Sequence, residues 1–263
     1  MNIAHQPARA APPHILTLVS IAAIGPLAMN VFLPSLPGMA RYFEVDYRVI
    51  QLLVSLYLVA IAATQLVVGP LSDRYGRRPV LLGGMCIFAL STVASLFAPN
   101  IETLLVCRVF QSTAAAGMVL SRAVVRDTVS SLADAASRIG YVAMGMAVMP
   151  MVAPIIGGFL EEHYGWKSTF LLTFALTVVI MLIAYFNLAE TNVNKSKSMV
   201  AQFRTYPELF GSRRFWGYAL TAGFASGAFF AFLGGGPYVA SELLGMKPSD
   251  YGIYFAIISG GYM

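Results

Sequence analysis

Strips of apolar residues about as long as a bilayer is thick alternate along this chain with short polar clusters. Lys, Arg, Asp, Glu and His are absent from Val49 to Ser72 and again from Pro79 to Ile101. A hydrocarbon core about 30 Å thick needs about 20 residues of helix, and each backbone polar group inside it must find a partner within the protein. The pattern therefore predicts transmembrane helices over 15–36, 50–71, 79–98, 102–121, 139–160, 168–189 and 214–239, with an eighth opening near Tyr251. Only 13 residues run from Tyr251 to Met263, a helical rise of about 20 Å that does not cross a normal bilayer. The chain is expected to stop mid-span. Its first strip is too long for a signal-peptide core and is followed by others, so it reads as an uncleaved helix.

The polar clusters orient the chain. Arg9, Arg74, Arg77, Arg78, Arg122, Arg126, Arg138, Lys195, Lys197, Arg204, Arg213 and Arg214 fall on one side, and only Arg41, Arg48, Lys167 and Lys247 on the other. Twelve against four predicts a cytoplasmic N-terminus, because short cytoplasmic loops carry the excess of basic residues. The longest connection, 190–213, has mixed charge and a Pro. It divides a six-helix bundle, 1–189, from the beginning of a further set of helices, 214–263. Between the second and third strips lies GPLSDRYGRRPVLLGG, Gly69 to Gly84. Its simplest reading is a basic anchor and tight turn, with Pro79 opening the next helix where its missing N–H costs nothing. A carboxylate sandwiched by guanidinium groups is also a breakable ion-pair cluster between moving helices.

Composition agrees: 58% of the residues are hydrophobic and 11% charged, against roughly 25% charged in soluble domains. The net charge of +5 is spread over loops and does not line one face, which argues against nucleic-acid binding. Cys86 and Cys107 lie inside apolar strips and read as buried thiols, while His5, His14 and His163 are too scattered to suggest a metal site. No Gly-x-x-x-x-Gly-Lys-Ser/Thr loop is present, so ATP hydrolysis by that route is excluded. No cofactor is expected, and the lack of an embedded His/Asp/Glu cluster argues against a membrane enzyme.

Gly69, Leu71, Asp73, Arg74, Gly76, Arg77 and Arg78 match the loop signature Gly-x-Leu-x-Asp-Arg-x-Gly-Arg-Arg. By these residues the chain resembles the major facilitator superfamily. MNVFLPSLP in the first strip and RAVVRD, Arg122 to Asp127, resemble elements of its bacterial exporters of the bicyclomycin and chloramphenicol resistance type. APIIGG resembles the antiporter signature, with Gly140, Pro154, Gly157 and Gly158 matching, and Met149 and Ala153 standing where Gly is preferred. The resemblance implies an all-α polytopic membrane protein of the major facilitator fold. Twelve helices in two bundles would enclose a cavity opening alternately to either side, and this chain would supply the first bundle and the start of the second. It further implies proton-coupled export of small amphiphilic drugs from the bacterial inner membrane, with protons, the lipid bilayer and the missing second bundle as partners. A facilitator or nutrient importer of the same fold, or an inactive exporter fragment, stands as the alternative.

Arg108 is the residue with the clearest chemical task. A guanidinium facing lipid would be costly, so it faces the bundle interior or snorkels to an interface. Gln111 and Ala115 share its helical face. The family resemblance makes this Arg-x-x-Gln element, with Ser112 in place of the usual Gly, part of a cavity-lining helix associated with proton coupling. Asn30 stands where many relatives place an Asp; it can bond to substrate or to Arg108 but cannot titrate near neutral pH. The candidate coupling and gating residues are Arg108, Asp73, Arg74, Arg77, Arg78, Arg126, Asp127, Pro154, Gly157 and Gly158. The candidate substrate contacts are Asn30, Tyr57, Gln65, Gln111 and Phe229.

Overall fold

A computed structural model describes residues 12–192 and 206–262. Arg9, Lys195, Lys197, Arg204 and most of the predicted 190–213 connection lie outside the described residues. Among the described residues, seven helices are long and apolar enough to cross a membrane: span 1, Ile15–Tyr42; span 2, Tyr47–Tyr75; span 3, Arg77–Leu96; span 4, Ile101–Thr128; span 5, Leu132–Tyr164; span 6, Lys167–Asn187; and span 7, Arg213–Leu243. A last helix follows at Pro248–Tyr262. No strand occurs among the described residues.

All seven spans match predicted strips, but most run further than the apolar residues do. Hydrogen bonding, not hydropathy, decides where a helix stops, and polar termini are held by side-chain caps. Asn100 accepts from the Thr103 N–H at 2.9 Å to open span 4, and Ser131 and Ser212 serve spans 5 and 7 in the same way. The basic knot is likewise not a loop. Span 2 continues to Tyr75 and span 3 begins at Arg77, two residues before the expected Pro79, leaving Gly76 as the whole joint. Gly76 has φ +112°, a conformation that glycine adopts without steric cost.

Two spans are interrupted. Span 1 consists of helix Ile15–Asn30, a 3₁₀ turn at Leu33–Ser35 and helix Leu36–Tyr42. Pro34 and Pro37 lack the N–H that a continuous helix needs. Span 4 tightens into a 3₁₀ turn at Ser112–Ala114 between helices Ile101–Gln111 and Ala115–Thr128.

Spans 1 and 4 form the middle of the bundle. Protein covers 72% of the apolar window of span 1 and 56% of that of span 4, against 17% for span 5 and 11% for span 7. Span 1 packs on spans 4, 5 and 6, span 3 on spans 4 and 6, and span 2 on span 4. The last helix lies along span 5. At the end carrying Arg41, one core joins Phe32, Leu36, Tyr57 and Trp166 with Leu233 of span 7 and Phe255 of the last helix. At the opposite end, carrying Asp73, Leu18, Val68, Leu81, Val124 and Leu188 pack within the six-helix bundle. Outward faces carry apolar residues such as Val59, Leu90, Val106 and Leu171, as a helix surrounded by hydrocarbon requires. Cys86 belongs to such a face and is exposed, correcting the expectation of a buried thiol. Cys107 is buried, and both are free.

Span 5 sits tightly because of two glycines. A methyl group at Gly157 would overlap the backbone carbonyl of Val31 in span 1, and one at Gly158 would overlap the backbone of Pro248 in the last helix. Gly140, part of the same sequence resemblance, has open space around it. Close packing thus occurs at one end of the motif only. Gly157→Ala should destabilise the chain in detergent by about 1–3 kcal/mol through overpacking. Gly140→Ala should be neutral or stabilise by up to about 1 kcal/mol through helix propensity. Thermal unfolding of the two variants checks the contrast.

Candidate functional site

Arg108 is 1% exposed, and burial, not snorkelling, is its solution to the cost of charge in a membrane. Its guanidinium lies between two rings, with the central carbon 4.2 Å from the centroid of Phe32 and 4.1 Å from that of Tyr57. Both aromatic faces offer negative potential to the cation. Nε donates to the Leu53 carbonyl at 3.2 Å, and Nη1 to Gln111 Oε1 at 2.8 Å and more weakly to the Ala28 carbonyl at 3.5 Å. Ala28 lies in the last turn of the first helix of span 1, where carbonyls run out of helical donors. Gln111 in turn donates to Ser95 Oγ at 2.9 Å, so the network reaches spans 1, 2, 3 and 4.

The shared face of Arg108 and Gln111 is therefore a direct hydrogen bond. Asn30 behaves differently from expectation: its Nδ2 donates to the Pro26 carbonyl of its own helix at 2.7 Å, and it makes no bond to Arg108. Arg108 Nη2, the Tyr57 hydroxyl and Asn30 Oδ1 are buried without hydrogen-bond partners among the described residues. Among the described residues no carboxylate pairs with Arg108. Gln65 is exposed, and Phe229 is half-buried against Phe230.

At the Asp73 end the cluster is the inverse of the expected one. A single guanidinium is held between two carboxylates: Arg77 pairs with Asp73 four residues earlier, and its Nε reaches Asp127 Oδ2 of span 4 at 2.9 Å. Arg77 Nη1 also donates to Ser72 Oγ at 2.6 Å. Arg74 lies over the Tyr75 ring and Arg126 is exposed, so neither joins the cluster. Arg78 donates to the Tyr185 carbonyl at 2.8 Å.

Sequence reasoning missed the segment that fastens this turn. Glu190, just beyond span 6, accepts from the backbone N–H groups of Arg77 at 2.9 Å and Arg78 at 3.2 Å. A carboxylate at a helix N-terminus satisfies orphan donors and meets the positive end of the helix dipole. A methyl group on Gly76 would occupy the position of that carboxylate. Asn192 completes the strap by donating to the carbonyls of Ser72 at 3.2 Å and Asp73 at 2.9 Å, the C-terminal end of span 2. Partners more than 100 residues apart leave no local signal.

Pro154, Gly157 and Gly158 lie at the other end, where the six-helix bundle meets span 7 and the last helix. Tyr47 Oη and Gln51 Nε2 both donate to the Gly234 carbonyl, at 3.1 and 3.2 Å. Arg41 pairs with Glu242 at 3.1 Å, Lys247 approaches Glu162 at 3.6 Å, and Ser249 donates to Glu162.

Buried charge, interrupted central helices and polar contacts between helix sets sit here in a bundle of helices long enough to cross a membrane. A family model of the Major Facilitator Superfamily matches residues 18–263, and the chain belongs to that superfamily. It is 36% identical over 254 residues to an uncharacterized MFS-type transporter, YdgK, of Bacillus subtilis (strain 168), covering 92% of this chain and 63% of that protein. It is 34% identical over 165 residues to multidrug resistance protein D of Escherichia coli (strain K12), covering 62% of this chain and 41% of that protein. The crystal structure of a bacterial homologue of the human lysosomal transporter Spinster, inward-facing and unoccupied, superposes with a TM-score of 0.77 at 19% identity, covering 93% of this chain and 58% of that one. The chain is thus all-α, with a six-helix bundle and the start of a second bundle, and spans less than two thirds of these relatives.

Arg77→Ala should lower stability by about 1–3 kcal/mol, since two partly buried carboxylates lose their shared cation. Asp73→Asn should cost less than half as much, because the bond from Arg77 to Asp127 remains. Denaturation of both variants in detergent gives the ratio.

Proposed function

We propose that the chain is part of a proton-coupled exporter of small amphiphilic compounds that works by alternating access in the bacterial inner membrane. Residues 1–189 form its first bundle, 190–213 a cytoplasmic linker, and 214–263 the opening of the second bundle. The observation that carries the reading is the enclosed Arg108 network. A guanidinium sealed between Phe32 and Tyr57, with Nη2 unpartnered, is costly unless another state of the cycle brings it an acceptor. Relatives named for multidrug resistance and chloramphenicol resistance support drug export as the task.

In this reading Arg108 and Gln111 couple proton and substrate movement, with Tyr57, Asn30 and Phe229 as substrate contacts and Gln65 as a weaker one. Pro154 and Gly158 form the sliding surface against the last helix, and Gly157 seats span 5 on span 1 behind it. Asp73, Arg74, Arg77, Arg78, Arg126 and Asp127 gate the cytoplasmic side. A facilitator of the same fold is the second reading, favoured by the lack of a carboxylate on Arg108 among the described residues. Alternation is rocking of one bundle against the other.

In the two-bundle protein, Arg108→Ala should abolish drug flux driven by a pH gradient in vesicles, at unchanged membrane abundance. Arg108→Lys, which keeps charge but loses the planar fork, should fall between. Wild-type flux in the Ala variant removes the coupling role, and drug flux indifferent to the gradient selects the facilitator. Single cysteines at Ser130 and Glu44, in a background lacking Cys86 and Cys107, test orientation. An impermeant maleimide applied to intact cells should label position 44 and spare position 130.

A further inference from the structure

The helix ends at the Arg41 end enclose a chamber of about 270 Å³, lined by Gly38 and Arg41 of span 1, Glu161 of span 5, Glu242 of span 7, Lys247, and Tyr251 of the last helix. Gly38 admits the Glu161 side chain, since a methyl group there would overlap the carboxylate oxygen Oε1. The other oxygen, Oε2, is sealed from solvent and has no hydrogen-bond partner among the described residues. Tyr251 is 7% exposed, and its hydroxyl also lacks a partner.

The neighbouring charges are engaged with one another. Arg41 pairs with Glu242, Lys247 with Glu162, and His163 Nδ1 lies 2.9 Å from the Phe159 carbonyl. From span 1 the Ser35 hydroxyl comes within hydrogen-bonding reach of Glu161 and the Arg41 charge acts on it, but among the described residues Glu161 forms no ion pair. A half-buried carboxylate with a hydroxyl beside it, and with its nearest cation already committed to another carboxylate, is costly, and one proton lowers that cost while supplying an O–H donor.

We propose that Glu161 is a proton-binding site of this closure. It holds a proton while spans 1 and 5 are shut against span 7 and the last helix, and releases it to water as those helices part. The step is carboxylate plus hydronium giving carboxyl plus water, with no other bond changed. Its meaning for transport rests on the exporter reading: there the Arg41 end faces outward, and a proton taken from the outer side permits that side to reclose. The site itself is testable without transport.

The 263-residue chain, with Cys86 and Cys107 replaced by Ser, would carry nitroxide labels at Arg48 and Leu243 in nanodiscs. Double electron–electron resonance would give the closed-to-open ratio from about pH 5 to about pH 8.5, a range spanning carboxylate and imidazole titration. The ratio should fall as pH rises, by up to about tenfold per pH unit, the slope of a single proton. Glu161→Gln should hold the acid value at every pH and lose a protonated-carboxyl infrared band seen in the unaltered chain. His163→Gln should keep the slope. Gly38→Ala, which evicts the carboxylate from its niche, should also flatten it and serves where Glu161→Gln folds poorly. A pH-independent ratio in the unaltered chain, or a slope surviving in both Glu161→Gln and Gly38→Ala, overturns the proposal. A single-proton slope with no gradient-driven flux in the two-bundle protein keeps the site and removes the antiport reading.

Discussion

One buried guanidinium organises the six-helix bundle. Arg108 cannot lie in hydrocarbon uncompensated, and no one helix supplies what it needs. A carbonyl comes from span 2, a second from the frayed end of the first helix of span 1, an amide from its own helix, and ring faces from Phe32 and Tyr57. Those demands draw spans 1, 2 and 4 together at one depth, and Gln111 extends the hold to Ser95 of span 3. The breaks in spans 1 and 4 lie on either side of this point. A straight span 1 would keep the carbonyls of its last turn for itself, so the Pro34 and Pro37 interruption and the Arg108 network belong to one arrangement.

Most of the helices, the inward orientation of Arg108 and its pairing with Gln111 were legible in the sequence, because each is a local matter of hydropathy, charge or helical spacing. The rest depends on partners distant along the chain. Asn30 looked available to Arg108, but the carbonyl of Pro26 is one turn away and takes the amide first. Arg77, not a carboxylate, became the centre of the knot because Asp127 arrives from span 4. Gly76 could be read as a turn, but not as the gap into which Glu190 fits. Glu161 was passed over because it follows an apolar strip directly and looks like an ordinary helix end; only Gly38, opposite it on another span, turns that end into a niche. Cys86 erred for a membrane-specific reason: an apolar strip predicts burial in lipid as readily as burial in protein.

The two ends of the molecule are held by different means. At the Asp73 end the bonds among the described residues are internal to the six-helix bundle, with Arg77 between two carboxylates and Glu190 and Asn192 strapping spans 2 and 3 to the segment after span 6. At the Arg41 end they run between that bundle and later helices, through Gly234, Glu242, Lys247 and Ser249. The proposed rocking of one bundle on the other would require this asymmetry, since each bundle must then stay rigid while the contacts between bundles break.

The chemistry of the closing contacts suits repeated breakage. Hydrophobic burial gives no preference between helix partners inside a membrane, because lipid tails are as apolar as leucine, and association there depends on close packing and hydrogen bonds. Gly158 and Gly252 bring the backbones of span 5 and the last helix together, while exposed pairs such as Arg41 with Glu242 contribute only about 0–1 kcal/mol each. Water entering a parting interface can solvate every one of these groups. The closure can therefore be specific in geometry and still open at small cost, and among the described residues in it the half-buried carboxylate of Glu161, which forms no ion pair, is a group that water and protein treat very differently. A gate assembled from weak contacts is sensitive to the charge state of a single residue because nothing else in it is strong enough to mask the difference.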